Sequence, residues 1–357
     1  MRVLVANPFG IGDVLFSHPL VRALRRSGSV RFTGYLCNRR TFELVSNWPE
    51  VDWTLMFEKD EFRAAARRSK REGALFLARM VRSVRQKKFD LLLDLSLGWQ
   101  IGLAALLAGI PKRVGFDFRG RGRFLTDRIP LQGFHIRPVP DYYLDLLAPL
   151  GIPRPFQPES PLISVPASMQ TRAEEYLQAW QISRGKKLIG IVPGGGTSWG
   201  PNAVFKQWPP DRFARVADAI AARHNAEVLI LGDNQESVLC RRVADSMTST
   251  PKMATQIHSL LILAGLLKRC DLVIGNDGGA MHLAAAVGTK TVSIFGPVDG
   301  SVYGPPPDLA KHRIVSKGLA CRPCYQGFRF PPCPWDNACL KQLDTEPVLE
   351  AAHALLS

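Results

Sequence analysis

The sequence predicts an α/β protein made of two doubly wound, Rossmann-like domains that face each other across a cleft. Short apolar runs alternate with helical stretches along both halves, which is the rhythm of a parallel sheet. A glycine-rich turn follows the first strand of each half. A proline-rich stretch separates the halves, so we expect an N-terminal domain of residues 1–165 and a C-terminal domain of residues 166–357.

Size and composition are those of an ordinary globular protein. The 357 residues suffice for two cores, and 46% hydrophobic with 22% charged residues is typical of a soluble chain. No apolar run reaches the roughly 18 residues of a membrane span. The strand-like residues 3–6 stand where a signal peptide would be, so we expect a cytoplasmic protein.

The net charge of +15 is concentrated in the first half of the chain. Residues 1–150 contain 25 lysines and arginines against 14 acidic residues, and much of the excess lies in residues 63–88. Each charge alone is typical of a solvated helix face, but together they indicate an anionic partner. No basic stretch carries interleaved aromatic residues, so we favour a phosphorylated acceptor or an anionic membrane surface over nucleic acid.

The first half opens with a strand at residues 3–6, a glycine turn at 10–13, a helix at 14–26 and a strand at 30–36. This pattern approaches a dinucleotide fingerprint. However, Leu15 stands where the third glycine would be, and no acidic residue follows the second strand to bind a ribose. An oxidoreductase is therefore disfavoured. The alternation continues with a strand at 51–57, a long basic helix, a strand at 89–95, a helix at 101–108 and a strand at 113–116.

The same rhythm restarts after the proline-rich residues 150–167. The pattern predicts strands at 188–192 and 228–231 and helices at 173–180, 211–223, 236–246 and 259–268. A final βαβ unit occupies residues 271–296, with an alanine-rich helix between two apolar strands.

The turn of that final unit is the strongest candidate for a binding site. Gly278 and Gly279 at a helix start let a ligand approach the backbone, and the amides there attract a phosphate. A carboxylate repels phosphate, so we expect Asp277 either to cap the helix or to bind hydroxyls of a sugar that the phosphate carries.

Four motifs in this order make the chain resemble the ADP-heptose:lipopolysaccharide heptosyltransferase family: Gly12-Asp13, the glycine-rich residues 194–197, the Lys-Gln-Trp-Pro of residues 206–209, and residues 277–282. The resemblance covers nearly the whole chain. It implies the GT-B architecture, with the acceptor bound by the N-terminal half and the nucleotide-sugar by the C-terminal half. It also implies inverting transfer of heptose from ADP-heptose to the lipopolysaccharide inner core.

In the N-terminal half, Asp13 matches the family's general base, which takes the proton of the acceptor hydroxyl. Helix capping is the alternative role for this aspartate. Gly12, Asp94, Arg119 and Arg123 are candidate acceptor-binding residues. Asp94 is equally consistent with a structural role, and the two arginines with a solvated loop.

In the C-terminal half, Lys206 matches the family lysine that contacts the diphosphate. No two aspartates stand two residues apart to hold a metal ion there, so Lys206 and the amides of Gly278 and Gly279 are expected to hold the leaving ADP. Glu236 matches a ribose-binding acid, and a helix-dipole role is its alternative. The remaining donor-binding candidates are Thr197, Ser198, Asp277, Ala280 and His282, of which the histidine is equally typical of packing.

Four of the seven cysteines are clustered: Cys321, Cys324, Cys333 and Cys339. Their spacing is that of a four-thiolate zinc or iron site, and a loop that binds no metal is the alternative. Such a site would be structural, so we expect no cofactor in catalysis.

The sequence thus predicts a metal-independent, inverting heptosyltransferase with Asp13 as base and an anionic, lipid-linked or phosphorylated saccharide as acceptor. Peripheral contact with an anionic membrane surface is expected as well. The alternatives are a transferase with another nucleotide-sugar donor, or with a protein or small-molecule acceptor, and a non-catalytic nucleotide-sugar-binding module.

Overall fold

The computed structural model describes residues 1–155, 163–305 and 308–357, with the side chains of residues 197, 198 and 201 left out. The chain divides into two compact units, Met1–Glu159 and Ser160–Ser357. This division falls within the proline-rich stretch. Residues 156–162 of that stretch lie outside the described part of the chain.

The first unit contains a six-stranded sheet in which every pair of neighbours is parallel. The strand order β3-β2-β1-β4-β5-β6 reverses between β1 and β4, as in a doubly wound sheet. The strands are β1 Arg2–Ala6, β2 Phe32–Cys37, β3 Trp53–Met56, β4 Leu91–Asp94, β5 Lys112–Phe118 and β6 Asp127–Leu131. The helices are α1 Ile11–Arg26, α2 Arg39–Ser46, α3 Lys59–Arg68, α4 Lys70–Gln86, α5 Trp99–Leu107, α6 Val139–Leu144 and the 3-10 helix Asp145–Leu150.

The second unit repeats this topology, with the strand order β12-β11-β10-β7-β8-β9 and a reversal between β7 and β10. Its strands are β7 Lys187–Val192, β8 Ala226–Leu231, β9 Lys252–Ala254, β10 Leu272–Asn276, β11 Thr291–Ile294 and β12 His312–Val315. Its α-helices are α7 Ala167–Ala179, α8 Pro210–His224, α9 Ser237–Asp245, α10 Leu260–Arg269, α11 Gly279–Ala286, α12 Gly300–Tyr303, α13 Ala338–Lys341 and α14 Glu346–Leu356. The 3-10 helices are Thr197–Lys206 and Asn234–Glu236.

The cores of both units form where the strands are apolar on both faces. Every residue of β4 and β10 is buried, as the continuous apolar runs of a parallel sheet require. The C-terminal helix α14 packs against α8 and the strands β10 to β12. None of the described helices is long and apolar enough to cross a membrane.

Two helices of the first unit differ from the prediction. Helix α1 begins at Ile11, with Gly10 as its N-cap, so Gly12 and Asp13 belong to the first helical turn and not to a glycine loop. The long basic helix is two helices, because Ser69 is extended and its side chain accepts a hydrogen bond from Arg71 N at the start of α4. The pattern of charged residues in the sequence does not reveal such a break between two helices.

The strand β6 was not predicted from the sequence. It lies at the edge of its sheet, and only its last residue is buried. It also contains Pro130, which edge strands tolerate because one side of their backbone forms no ladder. An edge strand therefore lacks the apolar pattern by which central strands are recognised.

Candidate active site

The candidate donor site lies at the carboxyl ends of β7 and β10, where the strand order of the second sheet reverses. Ligands of doubly wound sheets bind at this switch point. β7 leads into the glycines at 194–196, β10 leads into Asp277, and the 3-10 helix Thr197–Lys206 follows the glycines. Topology alone thus brings the predicted donor motifs to one edge of the sheet.

Asn276 fixes these loops to one another, and sequence analysis missed it. Its side chain is fully buried. Oδ1 accepts a hydrogen bond from the backbone N–H of Trp208 at 3.0 Å, and Nδ2 donates to the carbonyl of Pro193 at 2.7 Å. An asparagine that ends an apolar strand needs partners when it is buried, and this is the signal that could have revealed its role.

Trp208 of the Lys-Gln-Trp-Pro motif is a core residue. It is completely buried against Phe213, and its indole N–H donates to the carbonyl of Leu343 at 2.9 Å. Because Trp208 is fixed in the core, the backbone at Lys206, two residues earlier, is held in place as well. This limits the positions that the lysine side chain can reach.

Lys206, Asp277 and His282 form a buried polar cluster. Nζ of Lys206 lies 2.7 Å from Oδ2 of Asp277, and Nε2 of His282 lies 3.5 Å from Oδ1 of the same carboxylate. Burial alone would raise the pKa of Asp277, but the Lys206 ammonium and His282 outweigh it and hold this pKa below its ordinary value. The carboxylate is therefore ionised at neutral pH and compensates the charge of the buried lysine.

The capping role considered for Asp277 is wrong. Gly278 occupies the N-cap position of α11, and Asp277 turns its carboxylate towards Lys206 and His282. The backbone N–H groups of Gly278, Gly279 and Ala280 donate to no acceptor among the residues that the structure describes. They remain available to a ligand oxygen at the positive end of the helix.

Glu236 holds the glycine loop after β7. Its Oε1 accepts from the N–H of Gly196 at 3.3 Å, and its Oε2 accepts from the N–H of Asp233 at 3.2 Å within a capping box. A Cβ at Gly194 would collide with this carboxylate, and one at Gly195 would collide with the carbonyl of Ala203. Close packing within the protein therefore explains these glycines. The side chains of Thr197 and Ser198 lie outside the described part of the loop.

In the first unit, Asp13 follows β1, which is one of the two strands at the corresponding switch point. It is half-buried within the first turn of α1, and its backbone carbonyl accepts from Nδ2 of Asn7 at 2.9 Å. Because Gly10 is the N-cap, Asp13 does not occupy the position that the capping alternative assigned to it. Gly12, the acceptor-binding candidate beside it, is half-buried in the same turn.

Asp94 ends β4, the other strand at this switch point. It is buried, and its Oδ1 accepts from the N–H of Ser96 at 2.8 Å. Burial raises its pKa to about 6, against the lowering effect of Ser96. Asp94 is thus a buried acid that titrates close to neutrality.

The basic loop after β5 presents exposed arginines. The guanidinium of Arg119 lies 4.8 Å from the ring of Phe118, and that of Arg123 lies 5.0 Å from the ring of Trp99. The pKa of Lys59 is lowered by burial and by the neighbouring charges of Arg63 and Arg121. This lysine therefore belongs to the same cationic area. Sequence analysis did not single out this lysine.

The four clustered cysteines line one cavity of about 400 Å³ and are all free thiols. The thiol of Cys324 donates to the carbonyl of Cys321 at 3.0 Å, and burial raises the pKa of Cys339 to about 11. No three His, Cys, Asp or Glu side chains among the described residues converge closely enough to hold a metal ion. The described geometry therefore does not fit the four-thiolate site that the spacing predicted, and no step is assigned to a metal here.

The model of glycosyltransferase family 9 (heptosyltransferase) matches residues 77–328. The chain belongs to this family. It is therefore a glycosyltransferase, and its two Rossmann-like units are those of the GT-B architecture.

Relatives of this heptosyltransferase match it over most of their length. Lipopolysaccharide heptosyltransferase 2 of Salmonella typhimurium is 25% identical over 376 residues, which cover 100% of this chain and 99% of the relative. Lipopolysaccharide heptosyltransferase 3 of Escherichia coli is 24% identical over 82% of this chain and 83% of its own. The solved structure of E. coli ADP-heptose lps heptosyltransferase II has a TM-score of 0.77 at 22% identity, covering 100% of this chain and 98% of that one, which shows a common fold.

In this heptosyltransferase the predicted donor residues are not all equivalent. Lys206, Asp277 and His282 form one polar cluster beside the amides of α11, whereas Glu236 binds the glycine loop. Asp13, in the first turn of α1 after β1, and Asp94, the last residue of β4, both belong to the first unit.

Proposed function

We propose that the chain transfers heptose from ADP-heptose to a saccharide acceptor of the lipopolysaccharide core, with inversion at the anomeric carbon. One observation carries the proposal. The backbone amides of Gly278, Gly279 and Ala280 lie at the switch point of the second sheet, next to the buried pair of Lys206 and Asp277, and donate to no acceptor among the described residues. The names of the relatives, lipopolysaccharide heptosyltransferases 2 and 3, support the sugar and the acceptor class.

Asp13 acts as general base in this proposal. Its carboxylate takes the proton of an acceptor hydroxyl while that oxygen attacks the anomeric carbon of the donor. The bond from that carbon to the β-phosphate oxygen breaks, and ADP leaves with the electron pair. A single displacement of this kind inverts the anomeric centre.

The leaving diphosphate is held by protein groups. The amides of Gly278, Gly279 and Ala280 point their dipoles at it, and the Lys206 ammonium supplies a full positive charge. Asp277 pairs with that lysine through one carboxylate oxygen and lies close to His282 through the other, and we assign to this carboxylate the binding of heptose hydroxyls as well. In this scheme no metal ion is required.

The acceptor is proposed to bind at the basic loop of the first unit. Arg119 and Arg123 are exposed and present guanidinium groups, which pair with phosphate or carboxylate in a fixed geometry. Asp94 and Gly12 are the other residues proposed to contribute to acceptor binding.

We also propose that α3 and α4 rest on the cytoplasmic face of an anionic membrane. Their exposed basic residues outnumber the exposed acids Asp60, Glu61 and Glu72, and Leu75 among them is half-exposed. The basic residues are Arg63, Arg67, Arg68, Lys70, Arg71, Arg79, Arg82 and Arg85. Flotation with vesicles containing phosphatidylglycerol should recover the protein at low salt, and equal recovery with neutral vesicles would contradict this surface.

The experiment that tests the function compares Asp13→Asn with Asp60→Asn, an exposed aspartate of α3. We expect Asp13→Asn to lower kcat about 10²–10⁴-fold and to leave the affinity for ADP unchanged, because the base acts only in the transition state. Asp60→Asn should behave like the wild type. Unchanged transfer by Asp13→Asn would remove Asp13 from its role, and no transfer by the wild type with any nucleotide-sugar would favour a non-catalytic binding module.

A further inference from the structure

Trp199 occupies a position that none of the predicted roles includes. It lies in the 3-10 helix Thr197–Lys206, and its ring centroid is 4.4 Å from Nζ of Lys206. The next residue, Gly200, has φ of +54°, a conformation that favours glycine and places a kink within this helix. The ammonium is thus held by the Asp277 carboxylate and by the face of an indole ring.

Trp199 is itself held by an aromatic cluster, which we define as Phe205, Tyr303, Tyr325 and Phe330. Its ring lies 5.0 Å from the rings of Tyr325 and Phe330. The rings of Tyr325 and Phe330 are 4.9 Å apart, and Tyr303 and Phe205 continue the cluster on either side. Such contacts restrict the orientation of the indole.

The cysteine-rich loop, residues 321–339, carries Tyr325 and Phe330 of this cluster and is bound to the segment that follows β11. The N–H groups of Cys324 and Tyr325 donate to the carbonyl of Pro297 at 2.9 and 3.1 Å. The Arg322 guanidinium donates to the carbonyls of Lys317 at 2.8 Å and Val298 at 3.3 Å, and also to that of Gly296. Support therefore runs from β11 through Tyr325 and Trp199 to Lys206, all within the second unit.

This arrangement decides what Trp199 contributes. A buried lysine with one carboxylate partner keeps rotational freedom about its long side chain, and the indole removes that freedom while attracting the charge. A cation over a desolvated indole gains more than one over an exposed ring. The cysteine-rich loop then serves the site through aromatic packing.

We propose that Trp199 is a positioning residue, which holds the Lys206 ammonium for the donor diphosphate and is itself fixed by the aromatic cluster. The inference rests on the proposed function, in which Lys206 binds that diphosphate. It assigns a purpose to the 3-10 helix between the glycine loop and the lysine and to the cysteine-rich loop that packs against it.

The test measures ADP affinity by calorimetry, and kcat and KM for ADP-heptose, in Trp199→Leu, Trp199→Phe and Lys206→Met. We expect Trp199→Leu to weaken ADP binding and raise the donor KM about tenfold, with the acceptor KM unchanged. Trp199→Phe keeps an aromatic face and should remain within about threefold of the wild type. Trp335→Leu is the matched control, because Trp335 is an exposed tryptophan of the cysteine-rich loop and lies outside the cluster.

The double variant Trp199→Leu/Lys206→Met separates positioning from general damage. If Trp199 acts through Lys206, the double variant binds ADP no more weakly than Lys206→Met alone, whereas independent effects multiply. Unchanged ADP binding by Trp199→Leu, multiplied losses in the double variant, or an equal loss in Trp335→Leu would each overturn the inference. Unchanged ADP binding by Lys206→Met would instead overturn the lysine's role in the proposed function. This measurement needs no Trp199 variant, so the two failures can be told apart.

Discussion

The switch points of the two sheets have the same topology but different chemistry. In the second unit the polar residues are buried and already paired, with Lys206 against Asp277 and Asn276 between two loops. In the first unit Asp94 is buried as well, but Asp13 is half-buried and the arginines of the β5 loop are exposed. One backbone arrangement therefore supports a preorganised anion site in one unit and an open basic surface with a carboxylate in the other.

This difference matches what each half must bind in the proposed reaction. A diphosphate that becomes a leaving group requires fixed dipoles and a charge that does not reorganise. A base must be accessible to the hydroxyl from which it takes a proton. The predictions below test how far the two switch points differ.

The largest effect on stability is expected for Asp277→Ala. This change leaves the Lys206 ammonium buried without its carboxylate, which costs about 3–5 kcal/mol. Urea unfolding of the full chain measures it. Asp211→Ala removes a carboxylate from an exposed pair with Arg215 and should change the free energy of unfolding by less than about 1 kcal/mol. Equal effects of the two substitutions would show that the buried pair is not formed.

A second effect concerns how the stability of the first unit depends on pH. The pKa of Asp94 is raised to about 6, so the native state binds a proton between about pH 4 and pH 6 that the unfolded state has released. The contribution of Asp94 to stability therefore falls as pH rises through this window, by about 3 kcal/mol in total. Measured by urea unfolding, the free energy of unfolding of Asp94→Asn should rise by that amount relative to that of the wild type between pH 4 and pH 7. A pH-independent difference would contradict the buried, ionisable state.

A third effect tests the connection between loops in the second unit. Asn276→Ala removes both hydrogen bonds of this side chain and leaves the N–H of Trp208 and the carbonyl of Pro193 unpaired. We expect a loss of about 1–3 kcal/mol in unfolding free energy and weaker ADP binding. Asn202→Ala, an exposed position in the neighbouring 3-10 helix, is the control. Unchanged ADP affinity would show that Asn276 supports the fold and not the site.

The smallest effect is expected at the basic loop of the first unit. Arg119→Ala and Arg123→Ala should each raise the acceptor KM about three- to tenfold and leave ADP affinity unchanged, because both guanidinium groups are exposed and screened by salt. Steady-state kinetics at low and high salt measure this. A change in the donor KM would place these arginines at the other substrate.

Sequence patterns predicted the features that depend on local order. The apolar runs of β1, β4, β7 and β10 and the turn before α11 follow from residue periodicity and glycine placement, and they give the doubly wound fold. The family motifs then indicated Lys206 and Asp277 separately.

The contacts between these residues were not predictable, because most of them join positions far apart in the chain and the contact within the 3-10 helix depends on how its side chains point. Nothing local shows that Asp277 pairs with Lys206, that Asn276 binds Trp208, or that Trp199 lies on the lysine. The cysteine spacing indicated a metal site, but in the described structure the loop is held by backbone hydrogen bonds and aromatic packing. Spacing gives the number of potential ligands and not the direction in which their side chains point.

The most direct test of the central claim is a thermal-shift comparison of nucleotide-diphosphate sugars on the wild-type protein. A ligand that binds the folded state raises the melting temperature by mass action. We predict the largest rise with ADP-heptose, and its loss in Lys206→Met. A larger rise with a uridine-diphosphate sugar would contradict the proposed donor, and an undiminished rise in Lys206→Met would contradict the proposed site.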